Sequence, residues 1–408
     1  MKYSVVTFGC RVNQADSLAI EGELRSRGAS AASPDEADVV IVNTCSVTAT
    51  ADQGARQTIR RIVRSNPKVK VIVTGCYATR RPDELCELPN VAQVIANPAK
   101  DELIHLIASE IGLASAERFG LGDGPCGAME PGVAGRTAFT LRVQTGCDER
   151  CSYCIIPKTR GRGRSRPLDD VLQDVQRIVD AGYKEIAITG VHLGSYGRDL
   201  PGLSSLTTLL RCLADWPADV LFRISSLEPM DCTPEILDIA ATSPRIAPHF
   251  HLPLQHGSDD VLRAMRRPYT FTDYACLVSK LHARIPHASI GSDIIVGFPG
   301  ETDSHFEQMR RTLPSLPLSH LHVFPYSDRP GTEASTLTGK VDGSVIRARG
   351  REVRSIGEAM TRRFRQSQAG TVRRALTVDD GWSAVTDNYL KVRLDEPHAR
   401  NEWVDVRV

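Results

Sequence analysis

The stretch Thr140-Leu-Arg-Val-Gln-Thr-Gly-Cys-Asp-Glu-Arg-Cys-Ser-Tyr-Cys154 joins a strand-like run to a loop that carries three cysteines. Cys147, Cys151 and Cys154 have the spacing C-x3-C-x2-C, which puts three thiolates on one tight loop. Three thiolates can hold three irons of a [4Fe–4S] cluster and leave the fourth iron open to an exchangeable ligand. A structural zinc site uses four ligands, usually as two separated pairs. The spacing favours the cluster, and three histidines leave zinc open as the alternative: His192, His249 and His251.

Repeated strand and helix patterns follow this loop. Helical patterns, such as those at 169–181 and 302–313, alternate with six apolar strand-like segments at 140–145, 185–189, 220–225, 250–254, 290–296 and 320–325. Repeated strand–helix units of this kind predict a parallel barrel. Six strands are fewer than the eight of a closed barrel. We therefore predict an open (β/α)6 barrel with a wide mouth over residues 139–343.

An earlier block, residues 1–113, predicts a separate α/β domain with a Rossmann-like parallel sheet. Its three strand-like runs, 3–8, 38–43 and 69–74, are almost continuously apolar, as in sheets buried on both faces. Each run leads into a cysteine: Cys10, Cys45 and Cys76. Neighbouring parallel strands lie about 4.8 Å apart, and ligands bind at their carboxyl ends. We therefore expect the three thiols to converge at one sheet edge, with three separate buried cysteines as the alternative.

Three further segments complete the predicted organisation. Residues 114–138 are rich in Gly and Pro, which indicates a linker. Residues 344–368 have the pattern of a long polar helix. The tail, 369–408, contains four short alternating segments at 371–378, 382–385, 390–394 and 403–408. These predict a small antiparallel β module of the OB or SH3-like kind.

Overall composition limits the class of protein. Lys and Arg total 50 against 49 Asp and Glu in 408 residues, so a polyanion site must come from local clustering. The first residues lack a long apolar stretch with a cleavage site, and no apolar run approaches the roughly 20 residues that span a bilayer. We expect a cytoplasmic protein with no membrane partner. Eleven cysteines, an odd count, argue against a disulfide framework there.

Segments from the whole chain resemble the methylthiotransferases of the radical-SAM superfamily. Around the N-terminal cysteines these segments are Phe8-Gly-Cys10-Arg-Val-Asn13-Gln, Val42-Asn43-Thr-Cys45-Ser-Val-Thr and Thr74-Gly75-Cys76-Tyr-Ala. In the barrel they are Gln144-Thr-Gly-Cys147, Tyr153-Cys154-Ile-Ile-Pro157, Ser225-Ser-Leu-Glu228-Pro229, His251-Leu-Pro-Leu-Gln255-His-Gly-Ser258 and Gly297-Phe-Pro-Gly-Glu301. The resemblance implies two [4Fe–4S] clusters, one held by each cysteine trio. It also implies that the tail is a TRAM module that binds RNA.

Within that family, four segments resemble the branch that acts on N6-threonylcarbamoyladenosine, the transfer RNA base immediately 3′ of the anticodon. They are Gly190-Val-His-Leu-Gly-Ser-Tyr-Gly197, Met265-Arg-Arg-Pro-Tyr-Thr270, Leu321-His-Val-Phe-Pro-Tyr-Ser327 and Thr386-Asp-Asn-Tyr389. A base in a single-stranded loop is accessible to such chemistry. The isopentenyladenosine branch and the branch that modifies a ribosomal protein stay open. Thr145 and His256 depart from the branch pattern, where an acidic residue and a serine are expected.

The resemblance also implies a mechanism that uses two S-adenosylmethionine molecules. One methylates sulfur held at the N-terminal cluster, and the other, bound at the barrel cluster, gives a 5′-deoxyadenosyl radical that takes hydrogen from C2 of the adenine. That C–H bond is not acidic, so we expect no catalytic base. An electron donor and a sulfur donor are implied partners. Matching barrel positions predict five S-adenosylmethionine contacts, each of which could instead cap a neighbouring loop: Gly190, Ser226, Glu228, Gln255 and Asp293.

Basic and aromatic residues give further RNA-binding candidates. Residues 158–166 hold five cations, and we predict phosphate binding there, with a solvated loop as the alternative: Lys158, Arg160, Arg162, Arg164 and Arg166. Trp382 and Tyr389 are candidate stacking platforms. The remaining histidines and the spare cysteines are predicted to have ordinary roles. Two other functions stay open: a zinc-stabilised, non-enzymatic RNA-binding protein, and a radical-SAM enzyme whose second cluster only transfers electrons.

Overall fold

A computed structural model describes residues 1–109, 111–112, 137–202 and 204–408. The predicted linker at 114–138 lies outside the described residues, except for Thr137 and Ala138. Among the described residues, no helix is both long and apolar enough to cross a bilayer.

The N-terminal part is a parallel five-stranded sheet in the order β2-β1-β3-β4-β5. Its strands are β1 (Lys2–Thr7), β2 (Ser30–Ala31), β3 (Val39–Thr44), β4 (Lys70–Gly75) and β5 (Val91–Ile95). Its helices are α1 (Arg11–Ser26), α2 (Ala49–Ser65), α3 (Cys76–Arg80), α4 (Pro82–Cys86) and α5 (Leu103–Ile107). Every residue of β3 is buried, because apolar clusters cover both faces of the sheet. The three predicted strands are found within one residue, together with β2 and β5.

The central part contains six parallel strands and one two-stranded antiparallel hairpin. The strands are β6 (Phe139–Arg142), β7 (Gln144–Thr145), β8 (Arg164–Ser165), β9 (Glu185–Thr189), β10 (Leu221–Ile224), β11 (His249–His251), β12 (Ser289–Val296) and β13 (His320–Pro325). The short strands β7 and β8 pair antiparallel and frame the cysteine loop. The other six form two parallel sheets, β10-β9-β6 and β11-β12-β13. A parallel bridge between Ser226 and His251 joins the two sheets.

Helices alternate with these strands; most of them pack against the strands in the main core, and the first packs against α3 of the N-terminal part. They are α6 (Ile156–Arg160), α7 (Leu168–Asp180), α8 (Leu206–Ala214), α9 (Pro234–Thr242), α10 (Asp259–Ala264), α11 (Phe271–Arg284) and α12 (Asp303–Thr312). The packing follows from helical spacing: Val171, Val175 and Ile178 lie on one face of α7 and are fully buried in the main core. Strand residues with side chains on the opposite face therefore point inward, toward the opening between the sheets.

The C-terminal part consists of one long helix and a small sheet. Helix α13 (Gly343–Gln368) leads into β14 (Val372–Val378), β15 (Ser383–Thr386), β16 (Lys391–Arg393) and β17 (Trp403–Arg407). These four strands are antiparallel, in the order β16-β15-β14-β17. The predicted α/β class, the parallel sheets and the C-terminal β module are confirmed.

Candidate active site

The loop between β7 and α6 brings Cys147, Cys151 and Cys154 together. Gly146 starts this loop with a φ of +72°, and a Cβ there would lie 1.9 Å from the Arg162 carbonyl oxygen. Only glycine fits such a turn. Burial, together with the neighbouring Cys151 and Cys147, raises the pKa of Cys154 to about 12. Thiols in such a site give up their protons when a metal coordinates them.

Polar groups and open space surround this trio. Arg267 donates to Cys151 Sγ at 3.2 Å and pairs with Glu228. Burial opposes protonation of His192, but its hydrogen bonds with Asp231 and Cys147 outweigh burial and raise its pKa to about 10. The three cysteines line an open depression of about 350 Å³. Three thiols on one loop, a neighbouring cation and this space fit a [4Fe–4S] cluster.

A second trio lies at the carboxyl edge of the N-terminal sheet. Cys10 precedes α1, Cys45 follows β3 and Cys76 begins α3, and the strands β1, β3 and β4 that lead to them are neighbours. Burial raises the pKa of Cys45 to about 12, and Cys10 and Cys76 lie close enough to contribute to this shift. Cys45 and Cys76 are buried, whereas Cys10 is exposed. The structure thus brings the three predicted thiols together, and they too fit a three-thiolate cluster.

Glycines make this convergence possible. Gly9 has a φ of +95°, and a Cβ there would lie 2.7 Å from Cys45 Sγ. Gly75 has a φ of +101°, and a Cβ there would lie 2.2 Å from the Thr44 carbonyl oxygen. Any side chain at either position would push the cysteine loops apart.

Helix α6 connects the surroundings of the two trios. Its last residue, Arg160, interacts electrostatically with Cys76 and Cys10, although it follows the barrel loop in the chain. Asn97 Nδ2 donates to Cys76 Sγ at 3.5 Å and to the Thr159 carbonyl oxygen at 2.9 Å. The helix that ends the barrel cysteine loop is therefore part of the wall around the N-terminal trio.

The basic segment 158–166 divides into two kinds of residue. Arg160 is buried and bonds to Asn13 and Asp16, so the prediction that it binds phosphate is wrong: its charge is satisfied inside the protein. Arg166 pairs with Asp174 at 2.8 Å. The exposed cations of this segment are Lys158, Arg162 and Arg164.

Asp16 holds the N-terminal part against the barrel. Its carboxylate lies 3.0 Å from Lys100 Nζ, 2.6 Å from Arg142 Nη1 and 3.0 Å from Arg160 Nη2. Burial opposes ionisation of Asp16, but these three cations outweigh burial and hold its pKa below the usual range. The carboxylate and its partners form a charged contact that sequence spacing could not reveal.

We expect Asp16→Asn to lower the free energy of unfolding by about 3–5 kcal/mol, because it leaves buried cations without their partner. In the wild type this contribution is fully present above the unfolded aspartate pKa of about 3.9 and is lost as the pH falls through the lower folded pKa. Urea unfolding at pH 7 and at pH 3 measures both effects. Asp101→Asn is the control: Asp101 contacts Arg142 at 2.8 Å but is 64% exposed, so its loss should cost at most about 1 kcal/mol. Equal effects of the two substitutions would contradict this account.

Four histidines and Asp293 share the inward face of β11, β12 and β13. Strand register pairs His251 with Gly291, and Asp293 with His322. Asp293 Oδ1 lies 2.9 Å from His251 Nε2 and 3.4 Å from His322 Nδ1. Potential ligand atoms of these three side chains all lie within 4.8 Å of one another. The sequence analysis did not predict this cluster, although the His-x-His alternation at 249–251 and 320–322 was a signal for it.

Four of the five predicted S-adenosylmethionine contacts follow the carboxyl ends of barrel strands, and the fifth, Asp293, lies within β12. Gly190 follows β9 beside the Gln144 side chain, and Ser226 follows β10. Glu228 pairs with Arg267. Gln255 has a φ of +72° and exchanges backbone hydrogen bonds with β12, where its N–H donates to the Asp293 carbonyl oxygen at 2.8 Å.

Other singled-out residues differ in their exposure. Trp382 is 42% exposed, which leaves it open to a stacking partner. Cys86 and Cys276 are exposed, Cys212 is half-buried and Cys232 is buried. Cys126 lies outside the described residues.

Comparison with protein-family models gives two matches. Residues 2–97 match the family described as "Uncharacterized protein family UPF0004", and residues 141–313 match the "Radical SAM superfamily". Among solved structures, the radical S-adenosylmethionine methyltransferase TsrM from Kitasatospora setae is similar, with a TM-score of 0.58 and 17% identity. That match covers 82% of this chain and 74% of TsrM, and supports the fold alone.

Curated relatives are similar over almost the whole chain. Threonylcarbamoyladenosine tRNA methylthiotransferase MtaB of Aquifex aeolicus is 35% identical over 401 residues, which is 97% of each chain. The protein of the same name from Bacillus subtilis is 34% identical, over 95% of this chain and 88% of its own. A tRNA-2-methylthio-N(6)-dimethylallyladenosine synthase of a Roseiflexus species is 36% identical, over 82% of this chain and 70% of its own. The chain therefore belongs to the radical-SAM methylthiotransferase family.

Proposed function

We propose that this enzyme converts N6-threonylcarbamoyladenosine in transfer RNA, at the position 3′ of the anticodon, to its 2-methylthio derivative. The observation that carries the proposal is the pair of cysteine trios whose surroundings share α6. Relatives named for this reaction match the chain from end to end. A zinc-stabilised RNA-binding protein would need only one metal site.

Each trio is proposed to hold one [4Fe–4S] cluster: Cys147, Cys151 and Cys154 in the barrel, and Cys10, Cys45 and Cys76 in the N-terminal part. When bound, the barrel cluster supplies the electron that cleaves S-adenosylmethionine, and the N-terminal cluster supplies the sulfur. Arg267 offsets negative charge at the barrel trio, and Arg160 does so at the N-terminal trio. An external electron donor and a sulfur donor complete the proposed reaction.

Two molecules of S-adenosylmethionine are proposed per product, one as methyl donor and one as radical source. The radical takes hydrogen from C2 of adenine, so no side chain has to remove a proton. The five residues predicted from the sequence are the proposed contacts for the bound molecule: Gly190, Ser226, Glu228, Gln255 and Asp293. Exposed cations beside the barrel trio are proposed to bind anticodon-loop phosphates: Lys158, Arg162 and Arg164.

The barrel interior favours the threonylcarbamoyl substrate over the isopentenyl one. The inward face of β11 to β13 carries Asp293 and four histidines. A threonylcarbamoyl group has amides, a hydroxyl and a carboxylate that can pair with such side chains. An isopentenyl group is a hydrocarbon and can form no hydrogen bond with these side chains.

Mass spectrometry of transfer RNA nucleosides tests the substrate. A strain that lacks this gene should lose 2-methylthio-N6-threonylcarbamoyladenosine and accumulate the unmethylthiolated base, and the wild-type gene should restore the product. Loss of the methylthio-isopentenyl nucleoside instead would assign the second branch. Anaerobically purified protein should be brown, because iron–sulfur clusters absorb visible light, whereas zinc protein would be colourless.

A further inference from the structure

A cavity of about 310 Å³ lies where the three parts of the chain meet. Arg11 of α1 lines it from the N-terminal part, and Thr140 and Ala187 line it from the barrel. Tyr389 and Lys391 line it from the C-terminal module. The volume is that of a small-molecule group, and none of the reaction steps proposed above uses it.

Tyr389 is held in place from several sides. Its φ is +72°, a strained value for a tyrosine. Its ring lies 4.4 Å from the His249 ring and 4.8 Å from the Arg223 guanidinium. The preceding Asn388 is fully buried and donates to the barrel through the His287 carbonyl oxygen at 2.9 Å. The strained Tyr389 backbone is held against the barrel by these contacts, which place the phenol at the cavity.

Among the described residues, two cations and two carboxylates line the cavity, and the Arg11 cation is the one without an ionic partner; the four are Arg11, Lys391, Glu185 and Asp379. Arg11 Nη2 donates to Tyr389 Oη at 3.0 Å, and within the described part of the chain no carboxylate lies within 4.0 Å of the Arg11 side-chain nitrogens. The neighbouring cations are paired, Lys391 with Asp379 at 2.7 Å and Arg223 with Glu185 at 2.8 Å. Burial, together with Arg223 and Arg11, holds the pKa of His249 well below its usual value. A half-buried guanidinium of this kind is a ready partner for a carboxylate.

Arg11 also directly follows Cys10, the exposed member of the N-terminal trio. Under the proposed function, sulfur from this trio reaches C2 of the adenine. C2 lies in the same six-membered ring as the carbon that bears the N6 substituent. A base positioned for sulfur insertion would therefore present that substituent close to Arg11.

We propose that Arg11, supported by Tyr389, binds the threonyl carboxylate of the substrate and so selects the threonylcarbamoyl base. The inference rests on the proposed function and extends it, because it assigns the residues that recognise the N6 group. The guanidinium binds the carboxylate, and the Tyr389 hydroxyl orients the guanidinium. A neutral N6 substituent gains nothing from this pair.

The test compares two anticodon stem-loop RNAs that differ only in whether the threonyl carboxylate is free or converted to a neutral methylamide. Wild-type enzyme should have a KM for the carboxylate RNA that is lower by about tenfold to a hundredfold, the range for a hydrogen bond to a charged group. Arg11→Gln should raise that KM by a similar factor and treat the two RNAs alike. Arg11→Lys, which keeps the charge, should retain part of the preference.

Tyr389→Phe provides an independent variant, because it keeps the ring on His249 and removes only the hydroxyl. It should reduce the preference by about fivefold, the value of one ordinary hydrogen bond. The inference is wrong if Arg11→Gln or Tyr389→Phe keeps the full wild-type preference, or if the wild type has none. Failure of the proposed function looks different: the wild type would methylthiolate isopentenyladenosine RNA and neither of the two test RNAs.

Discussion

The triple variant Cys10→Ala, Cys45→Ala, Cys76→Ala is expected to make methylthio product only at the level of an enzyme-free control, while it still cleaves S-adenosylmethionine to 5′-deoxyadenosine. The reason is spatial: the three thiols meet at one sheet edge, whereas the cysteines proposed for cleavage are on the barrel loop. Removing the first set leaves the second unchanged. Liquid chromatography with mass spectrometry of both products from one reaction measures the loss of methylthio transfer and the retention of S-adenosylmethionine cleavage.

A matched control replaces three cysteines outside both trios, Cys86, Cys212 and Cys276, by alanine. None of them is buried, so this variant should keep both activities within about twofold of wild type, as expected for surface substitutions. If the N-terminal triple variant still made methylthio product, the trio would not carry the sulfur. If it lost S-adenosylmethionine cleavage as well, the two trios would not act separately.

The second large effect is expected from Cys147→Ala, Cys151→Ala, Cys154→Ala. This variant should lose both 5′-deoxyadenosine and methylthio product, because sulfur insertion depends on the radical generated at the barrel loop. Arg267 and His192, which contact Cys151 and Cys147, would remain but would have no thiolate to stabilise. Product assays with chemical reductant and S-adenosylmethionine in excess measure this loss.

Any 5′-deoxyadenosine formed by that variant above the enzyme-free level would contradict the assignment of the barrel trio. A folding control is available in circular dichroism, because the parallel sheets and their helices do not depend on these three side chains. Neither triple variant should form methylthio product, and only the N-terminal variant should still form 5′-deoxyadenosine. A general loss of structure would not produce that pattern.

Sequence reasoning located the two trios because both depend on local chain features. Apolar strands set the sheet, and each strand that ends in a cysteine delivers its thiol to the same edge. The C-x3-C-x2-C loop needs no tertiary information at all. For the same reason, the predicted strands agree with β1, β3 and β4 within one residue.

Features that depend on tertiary contacts were missed. Asp16 and Arg160 are 144 positions apart, and no spacing rule links them. The run of cations at 158–166 predicted solvent exposure for all five, yet the Asp16 carboxylate makes burial of Arg160 favourable. The predicted strand at 250–254 ends at His251, since Pro253 has no N–H for a strand ladder.

Iron content per chain shows whether this protein holds two separate three-cysteine clusters. Wild-type protein and the two triple variants would each be purified anaerobically, reconstituted under the same conditions and analysed for iron bound per chain. Each triple variant is expected to bind half the iron of the wild type. Wild-type iron content in the variant without Cys10, Cys45 and Cys76 would show that these thiols hold no cluster, and would contradict the account.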